Sequence, residues 1–523
     1  MGTDAVVAAG DAPAPRAPTL TRRASLTAVA SLLDYTVKAI VALVITPVLV
    51  GGLGRTLYGV WEMLGRLVGY MAATDGRATE ALRLVIAQQQ GSDAAVNRRS
   101  VGAALAVWVL MLPLVAAVGG AVVWLAPSIT HVPEASRDAV RLSCLLLLLS
   151  FMLTGLASIP ESVLRGMNLG YKRMGLQAGL SIIVGLLAAG AVQEGFGLPG
   201  LGAAQIARVV IMGICFWVLV RKYVGWFAIG KPTRPAVKSL LGMSLWLSVG
   251  DLIAKLMLAS DVLILGAVIS PAAVTTYALT SYAARTGLGV FGFSAGAAMP
   301  GLGGVLGKKE FGRAVQIRHE LRMLTWLFTT IVGATILVWN HSFLNLWVGA
   351  THYAGPWVDL LIVCFVCQTA FIRTDSYIID AALRPRGRVV IGAVTVVATL
   401  ALGITLTHAF GIVGLCLGLL LGRAIQSVSY PLIVRSCLDK PALTMAARLA
   451  ALRMAVTTAV LFAAANLAGR QIVASSWPVW LLGVVLSVGL FAAVSLLLGP
   501  SPSDRQIILR RVRAMVSGLR HKS

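Results

Sequence analysis

SLLDYTVKAIVALVITPVLV, from Ser31 to Val50, reads as a membrane-crossing helix with two charges in its first half, Asp34 and Lys38. A bilayer core requires about twenty consecutive, mostly apolar residues from a helix. A charge at mid-bilayer costs roughly 3 kcal/mol on insertion scales. Such groups persist only where they face protein or water. The run therefore points to a helical bundle with a polar interior.

Of 523 residues, 58% are hydrophobic and 12% are charged, with a mean hydropathy of +0.86. Soluble domains carry about 25% charged residues. The class is an all-α polytopic membrane protein. Apolar runs of spanning length give about fourteen transmembrane helices: 26–50, 58–87, 101–126, 140–163, 174–194, 201–221, 238–268, 272–300, 323–345, 356–383, 389–410, 412–434, 449–469 and 477–499. The weakest signals are the charged second run and the short break near Gly411.

Basic residues set the orientation, because Lys and Arg accumulate in cytoplasmic loops. Arg98-Arg99, Lys172-Arg173, Arg221-Lys222, Lys308-Lys309, Arg386 and Arg448 all fall on one side, with only Arg55, Arg137, Arg141 and Arg470 on the other. Both termini are expected in the cytoplasm. This bias absorbs most of the net charge of +24, so no nucleic-acid partner is needed. Residues 1–24 read as a disordered cytoplasmic tail without a cleavable signal, the first span serving for insertion. Residues 500–523 place Ile508, Val512, Met515 and Leu519 on one face among arginines, as in a basic amphipathic helix lying on the membrane. The six cysteines read as small apolar fillers; Cys364 and Cys367 form a lone pair without further ligands, and no metal is expected.

The opening pattern recurs. SLLDYTVK at 31–38 matches SVGDLIAK at 248–255, each Ser-x-x-Asp-x-x-x-Lys. Tyr58 precedes Arg66, and Tyr277 precedes Arg285, by the same spacing. Spans one to six (25–222) and seven to twelve (236–436) thus read as two parallel repeats, whose substrate sites lie between them near the midplane. Spans thirteen and fourteen (445–499) follow. At 1.5 Å per residue, Lys38 lies about 18 Å and Arg66 about 15 Å along their spans. Lys255 and Arg285 hold the matching positions in the second repeat. These four cations are expected to meet in a hydrated interior and to receive an anionic head group. Asp34 with Lys38, Glu62 with Arg66 and Asp251 with Lys255 are i,i+4 partners, and each pair has a purely structural reading beside the functional one. Arg285 lacks an acid one turn away and reads as the least satisfied cation. Asp261 reads as a coupling group or an interfacial one. Glu62, Arg66, Arg77 and Glu80 form a polar stripe expected to line the cavity along helix two. Arg373, Asp375 and Asp380 form a further cluster in span ten. Arg208 and Arg423, at matching places in spans six and twelve, read as helix bridges slightly more than as ligands.

Pro47, Leu53-Gly54, Tyr58-Gly59, Asp75-Gly76 and Arg83 follow one another in 47–87, with ESVLRGMNLGYKRMG at 161–175 and NHSFLNLWVGATHY at 340–353. In these elements the chain resembles the polysaccharide-exporter, Wzx-like branch of the MOP flippase superfamily. The Gly-Arg-Ala-Thr run after Asp75 departs from the branch's more apolar pattern. The resemblance implies a V-shaped, MATE-like pair of six-helix lobes around a cationic cavity, with the two last helices as an addition that could offer a groove to a lipid tail. It also implies flipping of polyprenyl-pyrophosphate-linked oligosaccharide across a bacterial inner membrane, in O-antigen or exopolysaccharide synthesis. The carried-over cavity cations are Lys38, Arg66 and Arg285, with Lys255 weaker. Expected partners are that glycolipid, membrane lipids and polysaccharide polymerase or assembly proteins.

The alternatives are a flippase for the lipid-linked peptidoglycan precursor and a cation-coupled exporter of small molecules. The second needs an acidic cavity. A membrane glycosyltransferring enzyme needs a sizeable outer loop with catalytic groups; here the outer loops are short, and no Walker loop or HExxH occurs, while the one Gly-x-Ser-x-Gly, GFSAG at 292–296, falls inside an expected span and not on a strand-to-helix turn. No cofactor is expected, and energy would come from a proton or sodium gradient or from membrane potential, with Asp34, Asp251 and Asp261 as candidate coupling acids.

Overall fold

The computed structural model describes residues 20–71, 74–173, 175–296, 299–382, 385–438, 445–501 and 504–506. The first helix begins at Leu20, inside the stretch expected to be a tail. The rest of that stretch, and the expected terminal amphipathic helix from 507 onward, lie outside the described residues.

The described chain is helical: α1 (Leu20–Tyr70), α2 (Ala78–Gln88), α3 (Ala94–Ile129), α4 (Arg137–Ala157), α5 (Ile159–Gly166), α6 (Leu176–Gln193), α7 (Gly197–Tyr223), α8 (Arg234–Val268), α9 (Pro271–Thr280), α10 (Tyr282–Gly296), α11 (Met299–Gly307), α12 (Phe311–Trp347), α13 (Pro356–Ala381), α14 (Pro385–Cys437), α15 (Met445–Gln471) and α16 (Trp477–Leu498). Among the described residues, eleven helices are long and apolar enough to span. Two of these are hairpins. In α1 the turn is Gly54, at φ 75°, a backbone region that glycine enters without a Cβ penalty; Thr46 before it and Tyr58 after it face the same cavity. In α14 the turn is Gly411, at φ 60°. Beyond it Gly418 lies against Gly403, and Gly422 against Thr399, so small residues let the two arms touch backbone to backbone. Counting both hairpins double, and adding the crossing built from α9 to α11, recovers the fourteen expected crossings.

Two expected spans are interrupted. The second breaks between Met71 and Ala78, where Gly76 and Arg77 both have positive φ. The eighth is divided after Thr280.

Helices α1, α3, α4, α6 and α7 pack together, as do α8, α10, α12, α13 and α14, while α15 and α16 lie against α12. Close packing rests on small residues: Gly185 of α6 faces Val41 and Ile45, and Gly202 of α7 faces Leu146. The seam between the lobes is hydrogen-bonded along its length. At the end marked by the hairpin turn, Arg55 Nη2 donates to Thr276 Oγ1 at 2.8 Å, Thr275 Oγ1 donates to the Arg55 carbonyl at 2.6 Å, and Gly59 abuts the Pro271 carbonyl. Deeper, Tyr282 donates to the Ala39 carbonyl and Tyr35 to the Thr286 carbonyl, both at 2.8 Å. On the other flank Tyr70 meets Ser260 at 3.1 Å.

Candidate functional site

The hairpin of α1 turns both arms toward one open cavity of about 550 Å³. Helices α6 and α7 close one side; α9 and α10, from the other lobe, close the opposite side. Four cations line it: Lys38, Arg66, Arg208 and Arg285. Glu62 is the one acid among the lining residues. Measured along the helices at 1.5 Å per residue, Arg66 is about 18 Å and Lys38 about 24 Å from the Gly54 turn, and Arg285 is about 21 Å from the start of α9. The three expected cavity cations therefore share a depth and a chamber.

Their surroundings differ. Lys38 is exposed to the chamber, and neither Lys38 nor Arg66 makes an ion pair or hydrogen bond among the described residues. The expected one-turn pairs Asp34–Lys38 and Glu62–Arg66 do not close. Asp34 is buried, its Oδ1 without a hydrogen-bond partner. Glu62 instead accepts from the Tyr58 hydroxyl at 3.3 Å. Two cations are thus left available in a chamber with one lining acid, an arrangement that attracts and can bind an anion.

Arg285 corrects the sequence reading. It is not the least satisfied cation, because Asp261 on α8 pairs with its Nη2 at 2.7 Å. Tyr277 donates to the same carboxylate oxygen at 2.9 Å, and its ring lies 5.3 Å from the guanidinium carbon. The partner comes from α8, two helices earlier in the chain, and not from a position one turn away. Asp261 is correspondingly a fixed counter-ion to Arg285. Lys255 does not line the chamber. It pairs with Asp251 at 3.0 Å, as expected, and donates to the Gly69 carbonyl at 2.7 Å. Asp251 also pairs with Arg77, so this triad ties α8 to the broken second crossing. The polar stripe is divided accordingly: Glu62 and Arg66 line the chamber, Arg77 binds Asp251, and Glu80 pairs with Arg83 at 2.5 Å.

The span-ten cluster also separates. Asp375, 3% exposed, is held between Arg318 at 3.4 Å and Arg322 at 2.9 Å. Asp380 pairs with Arg388. Arg373 makes no ion pair or hydrogen bond among the described residues and lies beside Gly292 of α10. Arg423 is buried, donating to Thr369 Oγ1 at 2.8 Å and to the Met257 carbonyl, over the ring of Phe365. It bridges helices. Arg208, its counterpart, does not: it reaches the chamber wall with Gln205, 3.4 Å away. The pseudo-symmetry that grouped the two arginines hid this difference.

Between α15 and α16 lies an apolar groove of about 680 Å³, lined by Leu452, Val456, Val460, Val494 and Leu498.

No protein-family model and no curated protein sequence matches the chain. Solved structures do. The chain is similar to the lipid II flippase MurJ in an inward closed conformation, at 12% identity, TM-score 0.63, covering 90% of this chain and 98% of that one. It is similar to an inward-facing multidrug resistance MATE family transporter of the MOP superfamily, at 15% identity, TM-score 0.61, covering 78% and 96%. A MATE transporter of Vibrio cholerae matches at 18% identity, TM-score 0.56, covering 81% and 98%. The fold, two lobes facing each other across a central chamber, is that of MATE transporters and of the lipid II flippase.

Proposed function

We propose that the protein is a flippase that carries a polyprenyl-pyrophosphate-linked oligosaccharide from the cytoplasmic to the outer leaflet by alternating access. The observation that carries this reading is the chamber lined by Lys38, Arg66, Arg208 and Arg285, with Glu62 as the lining acid. A pyrophosphate must cross an apolar core. Fixed cations in a confined, weakly screening space lower that cost, while a polyprenyl tail stays in lipid. The apolar groove of α15 and α16 offers such a tail a surface next to the bundle. A small organic cation would meet the opposite charge balance in this chamber.

A second reading, a flippase for the peptidoglycan precursor, is favoured by coverage. The MurJ structure spans 90% of this chain, the MATE structures about 80%. Both readings use the same cations and differ in the glycan.

Energy coupling follows from charge. An anion leaving a cell interior at negative potential is driven outward by about 2.3 kcal/mol per charge per 100 mV. Among the three candidate coupling acids, Asp251 and Asp261 are ion-paired, and Asp34 makes no ion pair among the described residues. Asp34 is therefore our candidate for proton coupling.

The test is flipping of a fluorescent polyprenyl-pyrophosphate sugar in reconstituted vesicles. Arg66→Gln should slow it at least tenfold, the equivalent of about 1.4 kcal/mol, and Arg66→Lys should restore part of the rate. Equal rates for wild type and Arg66→Gln would refute the anion-receiving chamber. A parallel assay with the peptidoglycan precursor separates the two readings.

A further inference from the structure

On the outside of the first lobe, α3, α4 and α7 leave an apolar groove of about 440 Å³. Leu105, Leu153, Val209, Ile214, Trp217 and Phe227 are among its walls. Its basic-face end is built rather than frayed. The Trp217 ring stands edge-on to Phe227, centroids 5.5 Å apart at 82°. Arg221 lies over Trp217, its guanidinium carbon 5.1 Å from the ring centre. The loop after α7 is stitched to α3: Arg98 Nε donates to the Trp226 carbonyl at 2.8 Å, and Gly230 N donates to the Arg98 carbonyl at 2.9 Å. Gly102 leaves no room for a Cβ against Gly230.

This end is predominantly basic. After Arg208, which lines the chamber, the chain as far as Gly250 carries Arg221, Lys222, Lys231, Arg234 and Lys238 and no acid, and Asp93 at the start of α3 is the one acid within five residues of Arg98. Arg98, Arg221, Lys222 and Lys231 are exposed. Neither Arg98 nor Arg221 makes an ion pair among the described residues. An apolar slot leading into aromatic rings and then into uncompensated cations matches a phospholipid in its own order: acyl chain, interfacial backbone, anionic phosphate. A zwitterionic lipid would fill the slot but bring its own cation to the arginines.

We propose that this groove is a binding site for an anionic phospholipid, with an acyl chain between α3, α4 and α7 and the head group on Arg98 and Arg221. Trp217 and Phe227 position the Arg221 end. The site is separate from the central chamber and does not depend on the transport reading.

The test uses the full-length protein in detergent, titrated with phosphatidylglycerol or with phosphatidylcholine of identical acyl chains, and bound lipid counted by native mass spectrometry. Wild type should prefer phosphatidylglycerol. Arg98→Gln and Arg221→Gln should each weaken phosphatidylglycerol binding about fivefold, in line with the attraction of one basic residue, and leave phosphatidylcholine unchanged. Ile214→Trp, filling the slot, should weaken both lipids. Lys308→Gln, a basic residue of the other lobe, should change neither. Absence of a preference in wild type would overturn the proposal. So would a loss as large in Lys308→Gln as in Arg221→Gln, which would assign the effect to overall charge.

Discussion

Asp375 and Arg373 stand two residues apart on α13 and are expected to behave in opposite ways. Asp375 is buried between two arginines. Removing its charge leaves both arginines short of their counter-ion, a loss of about 3 kcal/mol for a buried pair. Asp375→Asn should therefore lower the thermal unfolding midpoint in detergent by several degrees. Arg373→Gln removes a cation that makes no ion pair or hydrogen bond among the described residues and should leave that midpoint unchanged. A fall in stability for Arg373→Gln would show that it is a packing residue. Asp261 and Arg285 act as a unit. Either single neutralisation should destabilise, and Asp261→Asn with Arg285→Gln should recover part of the loss, with a coupling of roughly 0.5–3 kcal/mol in a double-mutant cycle. The cations themselves were legible in the sequence, because charge inside apolar runs stands out. Their partners were less so. Asp251–Lys255 obeys one-turn spacing, but Asp261 reaches Arg285 from another helix, and Arg77 reaches Asp251 across the lobe seam. Helical spacing carries no information on such contacts. Arg208 shows the same limit, since facing the chamber depends on the rotation of α7, which packing against α4 and α6 sets.

Among elements, the hairpin turns and the seam beside them carry the most specific demands. Gly59 meets the Pro271 carbonyl so closely that any side chain would overlap it. Gly59→Val should force this end of the seam apart. A cysteine placed at Ala278, on the chamber wall, should then react faster with a membrane-impermeant thiol reagent added from the side of the hairpin turns. Unchanged reactivity would mean that the contact does not gate access. Gly418→Val is more severe, because the arms of α14 touch backbone to backbone there, and it should abolish folded yield. Apolar run length was enough to place the crossings, and the two merged helices still separate at glycines with positive φ. The interruptions after Met71 and Thr280 were not legible. In the first, Arg77 adopts a left-handed conformation and pairs with Asp251, a tertiary contact that overrides the local helical pattern.

On the scale of the molecule, one imbalance dominates: a chamber between two lobes with more positive than negative charge on its walls. If the cargo leaves as an anion, vesicles with a negative potential on the loading side should flip it faster than depolarised vesicles, with the dependence growing with the charge moved. Equal rates would leave a proton or sodium gradient as the drive, and Asp34→Asn would then be the variant to abolish the pH response. The imbalance also predicts binding without transport. The most direct measurement is the affinity of the purified protein for a polyprenyl-pyrophosphate against the matching uncharged polyprenol, in wild type and in a variant with Lys38, Arg66 and Arg208 all replaced by Gln. Wild type should bind the pyrophosphate far more tightly, and the triple variant should lose this preference while still binding the polyprenol. A triple variant that folds and keeps the preference would contradict it.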